Sequence, residues 1–185
     1  MKRPCRIRHQ VSCEDGLHHR YKLEARSDRP VNPFCQHALA TDATKGLEEE
    51  VALNLTAPIR LTAEVLARWP APAVIIFVTS GFALVSPTRA PTYGAVKAGL
   101  YGFAEGLRRQ LAPKGTHVLA LLPTTTDTPA TATETRKTMT TAEVAAVTLK
   151  ALARKKEMAL PGPIKMLPTL LRIAPSASRR MVANI

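Results

Sequence analysis

Aromatic residues make up only 4% of this 185-residue chain, too few for a platform that stacks single-stranded bases. Long apolar runs are also lacking. None approaches the ~18–20 residues that a membrane-spanning helix needs. No apolar stretch follows the basic segment Met1–His9, so an ordinary secretory signal is not expected. The three cysteines, Cys5, Cys13 and Cys35, cannot all pair within one chain. Free thiols in a reducing, cytoplasmic setting are the expectation. Acids are few, 14 against 26 Lys and Arg, for a net charge of +12. That balance permits contact with nucleic acid or an anionic membrane surface without establishing either.

What is present is enough for one domain with a core: 45% hydrophobic and 22% charged residues. The chain changes character near Gly46. Residues 1–45 hold every cysteine and four of the five histidines, His9, His18, His19 and His37. They show no apolar periodicity long enough for a strand or helix. No Cys-x-x-Cys pair occurs, and His18 and His19 are adjacent rather than spaced as zinc ligands, so no metal site is expected. The composition fits an irregular leader, either a genuine segment or the product of a wrong start or shifted frame. No internal repeat is visible.

From residue 46 to 185 the pattern is that of a folded domain. A helix is expected from Leu47, with Glu48, Glu49 and Glu50 complementing the dipole of its first turn. Pro58 should kink or interrupt it. Ala73–Val78 is a continuous apolar run rich in β-branched residues, expected as a strand buried on both faces. A helix over Thr92–Leu111 and a second buried strand over Thr116–Leu122 follow. Thr140 and Glu143 form a capping box for a helix from Thr141 to about Lys155. Met158–Leu160 is a last short apolar piece. The alternation of helix and strand is that of a parallel α/β sheet.

Tyr93 and Lys97 stand four apart on the expected second helix, so they share a face. A lysine ammonium beside a phenol favours the phenolate and lowers its pKa. A tyrosine tuned in this way passes a proton to or from oxygen near neutral pH. Ser80 follows a buried strand, at the carboxyl edge where α/β sheets bind ligands.

Thr79-Ser-Gly-Phe-Ala and Pro91-Thr-Tyr-Gly-Ala-Val-Lys-Ala-Gly99 resemble the active-site region of the short-chain dehydrogenase/reductase family, with Ser80 thirteen residues before Tyr93. Asn54 in Asn54-Leu-Thr-Ala-Pro58 is similar to the family's active-site asparagine. Pro123-Thr-Thr-Thr-Asp-Thr128 resembles its segment after the next strand, and Ala159-Leu-Pro-Gly162 a later one. Each residue has a plainer reading: Asn54 capping the break near Pro58, Ser80 as a strand-end serine, Tyr93 in packing, Lys97 solvated. Their joint order on the right elements favours the family.

The resemblance implies a partial Rossmann-like, doubly wound parallel sheet. It implies a nicotinamide cofactor, NAD or NADP, and interconversion of a small alcohol and a carbonyl by hydride transfer. Tyr93 would be the acid/base. Lys97 would lower its pKa and bind the nicotinamide ribose, and Ser80 would orient the substrate oxygen. Asn54 would hold a water linking Lys97 to solvent, while Pro123 and Thr128 would lie at the nicotinamide. The Thr-rich loop around Thr124–Thr141 would cover the substrate.

Gly99, Gly102 and Gly106 sit within a helix and do not follow a strand, so close helix packing accounts for them, as at a subunit interface. The family's phosphate-binding turn is missing. Gly16 and Gly46 are the only glycines before Gly81, and no Gly-x-x-x-Gly-x-Gly pattern exists. Each βαβ unit takes ~30 residues or more, so the residues before Asn54 are too few for a cofactor half. The expectation is a sheet without its first strands and a chain impaired in turnover. Such a sheet would leave an apolar edge through which copies associate, as a homo-oligomer or otherwise. The alternatives are a non-catalytic remnant that pairs with other proteins and, with less support, a basic membrane-surface protein. Nucleic acid is not an expected partner. The tail carries Met166, Leu167, Leu170, Leu171 and Ile173 beside Lys165, Arg172, Arg179 and Arg180. It permits peripheral membrane contact at most, with docking on the domain or on a partner subunit the favoured role.

Overall fold

Two short runs of β-branched and long apolar residues build the sheet. The computed structural model describes residues 46–127 and 138–183. The segment 1–45 and Thr128 lie outside them. Strands β1 (Val74–Val78), β2 (His117–Leu121) and β3 (Met158–Ala159) are parallel, in the order β1-β2-β3. β1 pairs with β2 from Val74↔His117 to Val78↔Leu121, and β2 pairs with β3 at Ala120↔Met158 and Leu121↔Ala159.

Helices lie on both faces. Helix α1 (Leu47–Val51) runs through a π-helical segment (Ala52–Thr56) into α2 (Ala57–Arg68). Helix α3 (Pro91–Leu111) joins β1 to β2, α4 (Thr141–Ala153) joins β2 to β3, and α5 (Leu167–Ile173) and α6 (Pro175–Ala183) end the described chain.

The parity of β2 explains the two layers. Val118, Ala120 and Leu122, all 0% exposed, face α3 and pack with Phe77, Leu100, Ala104, Leu107 and Leu111. Leu119 and Leu121 point the opposite way, against Ala151 of α4 and Ala159 of β3. A strand buried on both faces needs no polar alternation, so the expectation for the second strand is met.

β1 departs from expectation. Phe77 is buried toward α3, but Val74, Ile76 and Val78 on the other side are 43%, 40% and 56% exposed. The expected burial on both faces is therefore corrected to one face. β1 is the edge of the described sheet, and α4 covers only the β2–β3 side. Pro58, Leu61 and Val65 of α2 line an apolar groove with Ile76 and Val78.

An apolar edge strand is a template for pairing, and full burial of a Val or Ile side chain is worth ~1.5–3 kcal/mol. Light scattering should find the 185-residue chain self-associated, and Ile76→Lys should shift it toward monomer. A monodisperse wild-type monomer that unfolds cooperatively would contradict this.

Pro58 interrupts the α-helical ladder as expected: a π segment separates α1 from α2 just before it. Proline offers no N–H to the carbonyl four residues back. Instead the chain widens into π geometry just before it, and the Ala57 N–H donates to the Ala52 carbonyl five residues back. Helix α4 opens on the expected capping box: the Glu143 N–H donates to Thr140 Oγ1 at 3.2 Å, and the Thr140 N–H to Glu143 Oε2 at 2.8 Å. Arg108 ties the end of α3 to the sheet, donating to Val118 O at 3.0 Å and to Glu157 O at 2.9 Å.

The tail divides its apolar residues. Leu167, Leu171 and Val182 pack with Phe82 and Val85 of the loop after β1, while Met166, Leu170 and Ile173 stay exposed. Docking on the domain is thus met on one face of α5. Among the described residues no helix is long and apolar enough to cross a membrane. Nor could any group of three or more His, Cys, Asp or Glu among them hold a metal ion.

Candidate active site

The site assembles where β1 ends. The Thr79 N–H donates to Leu121 O at 2.8 Å and the Gly81 N–H to Pro123 O at 3.1 Å, so the two strand ends leave the sheet together. Between them Ser80 is extended and buried, and its Oγ accepts from the Phe82 N–H at 3.2 Å. That bond caps a single 3-10 turn, Gly81–Ala83, and holds the serine hydroxyl toward α3.

Tyr93 sits in the first turn of α3. Its phenol is hydrogen-bonded to the Ser80 side chain, and the Phe82 ring meets its ring edge-on at 6.4 Å between centroids. Lys97, one turn later, places Nζ over the Tyr93 ring, 5.5 Å from the centroid. Gly94 lets the loop from β1 cross tightly here. A Cβ at Gly94 would stand 2.9 Å from Ser86 Cα and collide with the Ser86 side chain, so any larger residue would push this turn of α3 away from Ser80.

Asn54 is buried in the π segment, which packs on α3. Gly99 meets that segment closely: a Cβ there would lie 3.3 Å from Leu55 Cδ1. Helix packing therefore accounts for Gly99. Gly102 and Gly106 face open space among the described residues, so no packing within this chain accounts for them. Pro123, half-buried, stands at the end of β2 beside Gly81.

The base of the Thr-rich loop is closed by the Asp127 N–H to Met139 O at 2.7 Å and the Met139 N–H to Thr125 O at 3.0 Å. Gly162, at φ 77°, fits beneath it, where a Cβ would meet Met139 Sδ at 2.7 Å. The structure thus brings Ser80, Tyr93 and Lys97 together with Asn54 on the helix packed beside them. Thr128 lies outside the described residues.

The electrostatics correct one expectation. Burial pushes the Tyr93 phenol above its ordinary 10.0, reinforced by the Glu50 carboxylate, with the Ser80 hydrogen bond opposing. Burial pulls the Lys97 amine below its ordinary 10.5, with Glu50 opposing. Desolvation disfavours both charged forms, so the expected lowering of the tyrosine by Lys97 does not govern here. Glu50 was read from the sequence as a dipole acid beside Glu48 and Glu49. Those two are exposed, whereas Glu50 is 4% exposed. Its place four residues before Asn54, on the same helix face, was the signal that could have marked it.

The profile described as short chain dehydrogenase matches residues 35–139, and the chain belongs to that family. Among solved structures, a short-chain dehydrogenase from Burkholderia cenocepacia J2315 in complex with NADP is 20% identical with a TM-score of 0.71, covering 81% of this chain and 65% of that one. A short-chain dehydrogenase from Sphingobium yanoikuyae in complex with NADPH is 24% identical at 0.65, over 79% and 59%. A bulky-bulky ketone specific alcohol dehydrogenase from Comamonas testosteroni is 26% identical at 0.63, over 80% and 58%. The chain therefore spans less than two thirds of each of these three proteins. No curated protein matches it. The fold is α/β with a parallel sheet, a partial Rossmann-like arrangement.

Proposed function

We propose that residues 46–185 are the catalytic part of an NAD(P)-dependent short-chain oxidoreductase that interconverts a small alcohol and a carbonyl. One observation carries this reading: Ser80 and Lys97 both converge on Tyr93 at the carboxyl end of a parallel sheet. The nicotinamide-ribose end of a dinucleotide fits the residues present, with the Lys97 amine and the Tyr93 phenol adjacent and Pro123 at the neighbouring strand end. The pyrophosphate end does not fit, since among the described residues no glycine-rich turn follows a strand.

A bound dinucleotide would supply or take the hydride. The chain's own residues would handle the oxygen and its proton. In carbonyl reduction Tyr93 Oη gives its proton to the substrate oxygen, and in alcohol oxidation it takes the proton back. The Ser80 hydroxyl donates a second hydrogen bond to that oxygen and fixes its position. Lys97 favours the anionic form of the tyrosine when the proton has left. Asn54, buried in the π segment that packs on α3, would hold a water that links Lys97 to solvent.

We further propose that the 185-residue chain by itself is impaired, because among the described residues no glycine-rich turn offers backbone N–H groups to a pyrophosphate. Titration of the full chain with NADH and NADPH, followed by nicotinamide fluorescence, should give no saturable change at micromolar protein. Tight saturable binding would contradict the impairment. The same missing turn supports a second reading, a non-catalytic family member acting through its sheet edge. That reading predicts no turnover even when a cofactor half is supplied.

A further inference from the structure

Helices α5 and α6 turn one side to the domain and the other to solvent. Leu167 and Leu171 of α5 and Val182 of α6 pack on Phe82 and Val85 of the loop after β1. The two helices also pack on each other. Away from that inner side, Met166 at the start of α5 is exposed, as are Leu170 and Ile173 within it and Met181 on α6. Residues spaced four and three apart, as Met166, Leu170 and Ile173 are, share one side of a helix. A lone exposed apolar residue is ordinary, but a row of them marks a contact.

The charge around this row has one sign. Lys165, Arg172, Arg179 and Arg180 are all exposed. From Met158 to Ile185 the sequence holds no Asp or Glu. We propose that the outer side of α5 and α6 is a docking surface for an anionic phospholipid bilayer. The apolar row enters the boundary between headgroups and acyl chains, and the four cations face the lipid phosphates. Both parts are needed for such a contact: apolar side chains gain by leaving water, and cations are drawn to the negative surface. The row is short, so the attachment is peripheral and reversible.

The charge decides against the other occupants of this surface. A second copy meeting this face with its own would set four cations against four, with no acid in either segment to pair them. Nucleic acid would meet the cations but leave Leu170 and Ile173 in water.

Vesicle flotation of the full 185-residue chain tests this without cofactor or turnover. Self-associated protein sinks, whereas vesicle-bound protein rises. The chain should rise with vesicles of mixed phosphatidylserine and phosphatidylcholine at low salt. It should stay below with phosphatidylcholine alone, and also in 1 M salt, where the screening length is ~3 Å. Each cation at an anionic surface is worth about five-fold in partition, so Arg172→Gln/Arg179→Gln/Arg180→Gln should lower it by about 100-fold. Met166→Ser/Ile173→Ser should lower it with the charge unchanged. The control, Arg60→Gln/Arg68→Gln/Lys114→Gln, removes as much charge from exposed positions elsewhere and should lower it far less. Every substituted side chain is exposed, so the packed side of the helices stays intact. The proposal is overturned if the wild-type chain does not rise on anionic vesicles or rises equally on neutral ones. It is overturned equally if the triple tail variant floats like the wild type, or no less than the control.

Discussion

Tyr93→Phe is expected to lower kcat by about 10²–10⁴-fold in a fusion that joins residues 46–185 to the cofactor half of a short-chain dehydrogenase. The substitution deletes one hydroxyl and keeps the ring, so the edge contact with Phe82 and the packing of the first turn of α3 persist. Only the transferable proton and its hydrogen bond to Ser80 are lost. A group acting in the transition state lowers kcat and kcat/KM together. Steady-state kinetics with NADH or NADPH and a panel of ketones would read both. Retained turnover in a folded Tyr93→Phe fusion would remove the acid/base role.

The second large effect is on stability. Leu119→Ala should destabilise the fold by about 2–5 kcal/mol, a large fraction of the ~5–15 kcal/mol typical of a domain. Leu119 is 0% exposed on the α4 side of β2, among Leu121, Ala151 and Ala159. Alanines already occupy the facing positions, so little can collapse into the space. Ile173, 76% exposed on α5, is the control, and Ile173→Ala should stay within ~0.5 kcal/mol. Urea midpoints at an unchanged slope would measure both. Equal midpoints for the two variants would mean that β2 is not the centre of the fold.

Much of this was legible in the sequence because it depends on local spacing. The Tyr93–Lys97 pair needs only helical periodicity. The capping box at Thr140 and Glu143 formed as read, and β2 was legible as a doubly buried strand from its unbroken apolar run. The misreadings share a different cause. Val74, Ile76 and Val78 are as apolar as the residues of β2, and only the neighbours of β1 decide whether they are covered. Pro58 announced a broken ladder, and the ladder does break there, in a π geometry that the sequence pattern does not contain. Glu50 stands in an acidic run that reads as solvated, and its burial comes from the crossing of α1 over α3. The direction of the Tyr93 shift likewise depends on burial depth, which the spacing to Lys97 does not contain.

The central claim is that Ser80, Tyr93 and Lys97 form the proton-handling site of a short-chain oxidoreductase. It is tested most directly by the turnover of the wild-type fusion, followed as loss of nicotinamide absorbance with a ketone substrate. Steady nucleotide oxidation that stops in Tyr93→Phe is the expected result. A fusion that folds and binds NADH or NADPH yet reduces none of the ketones would contradict it.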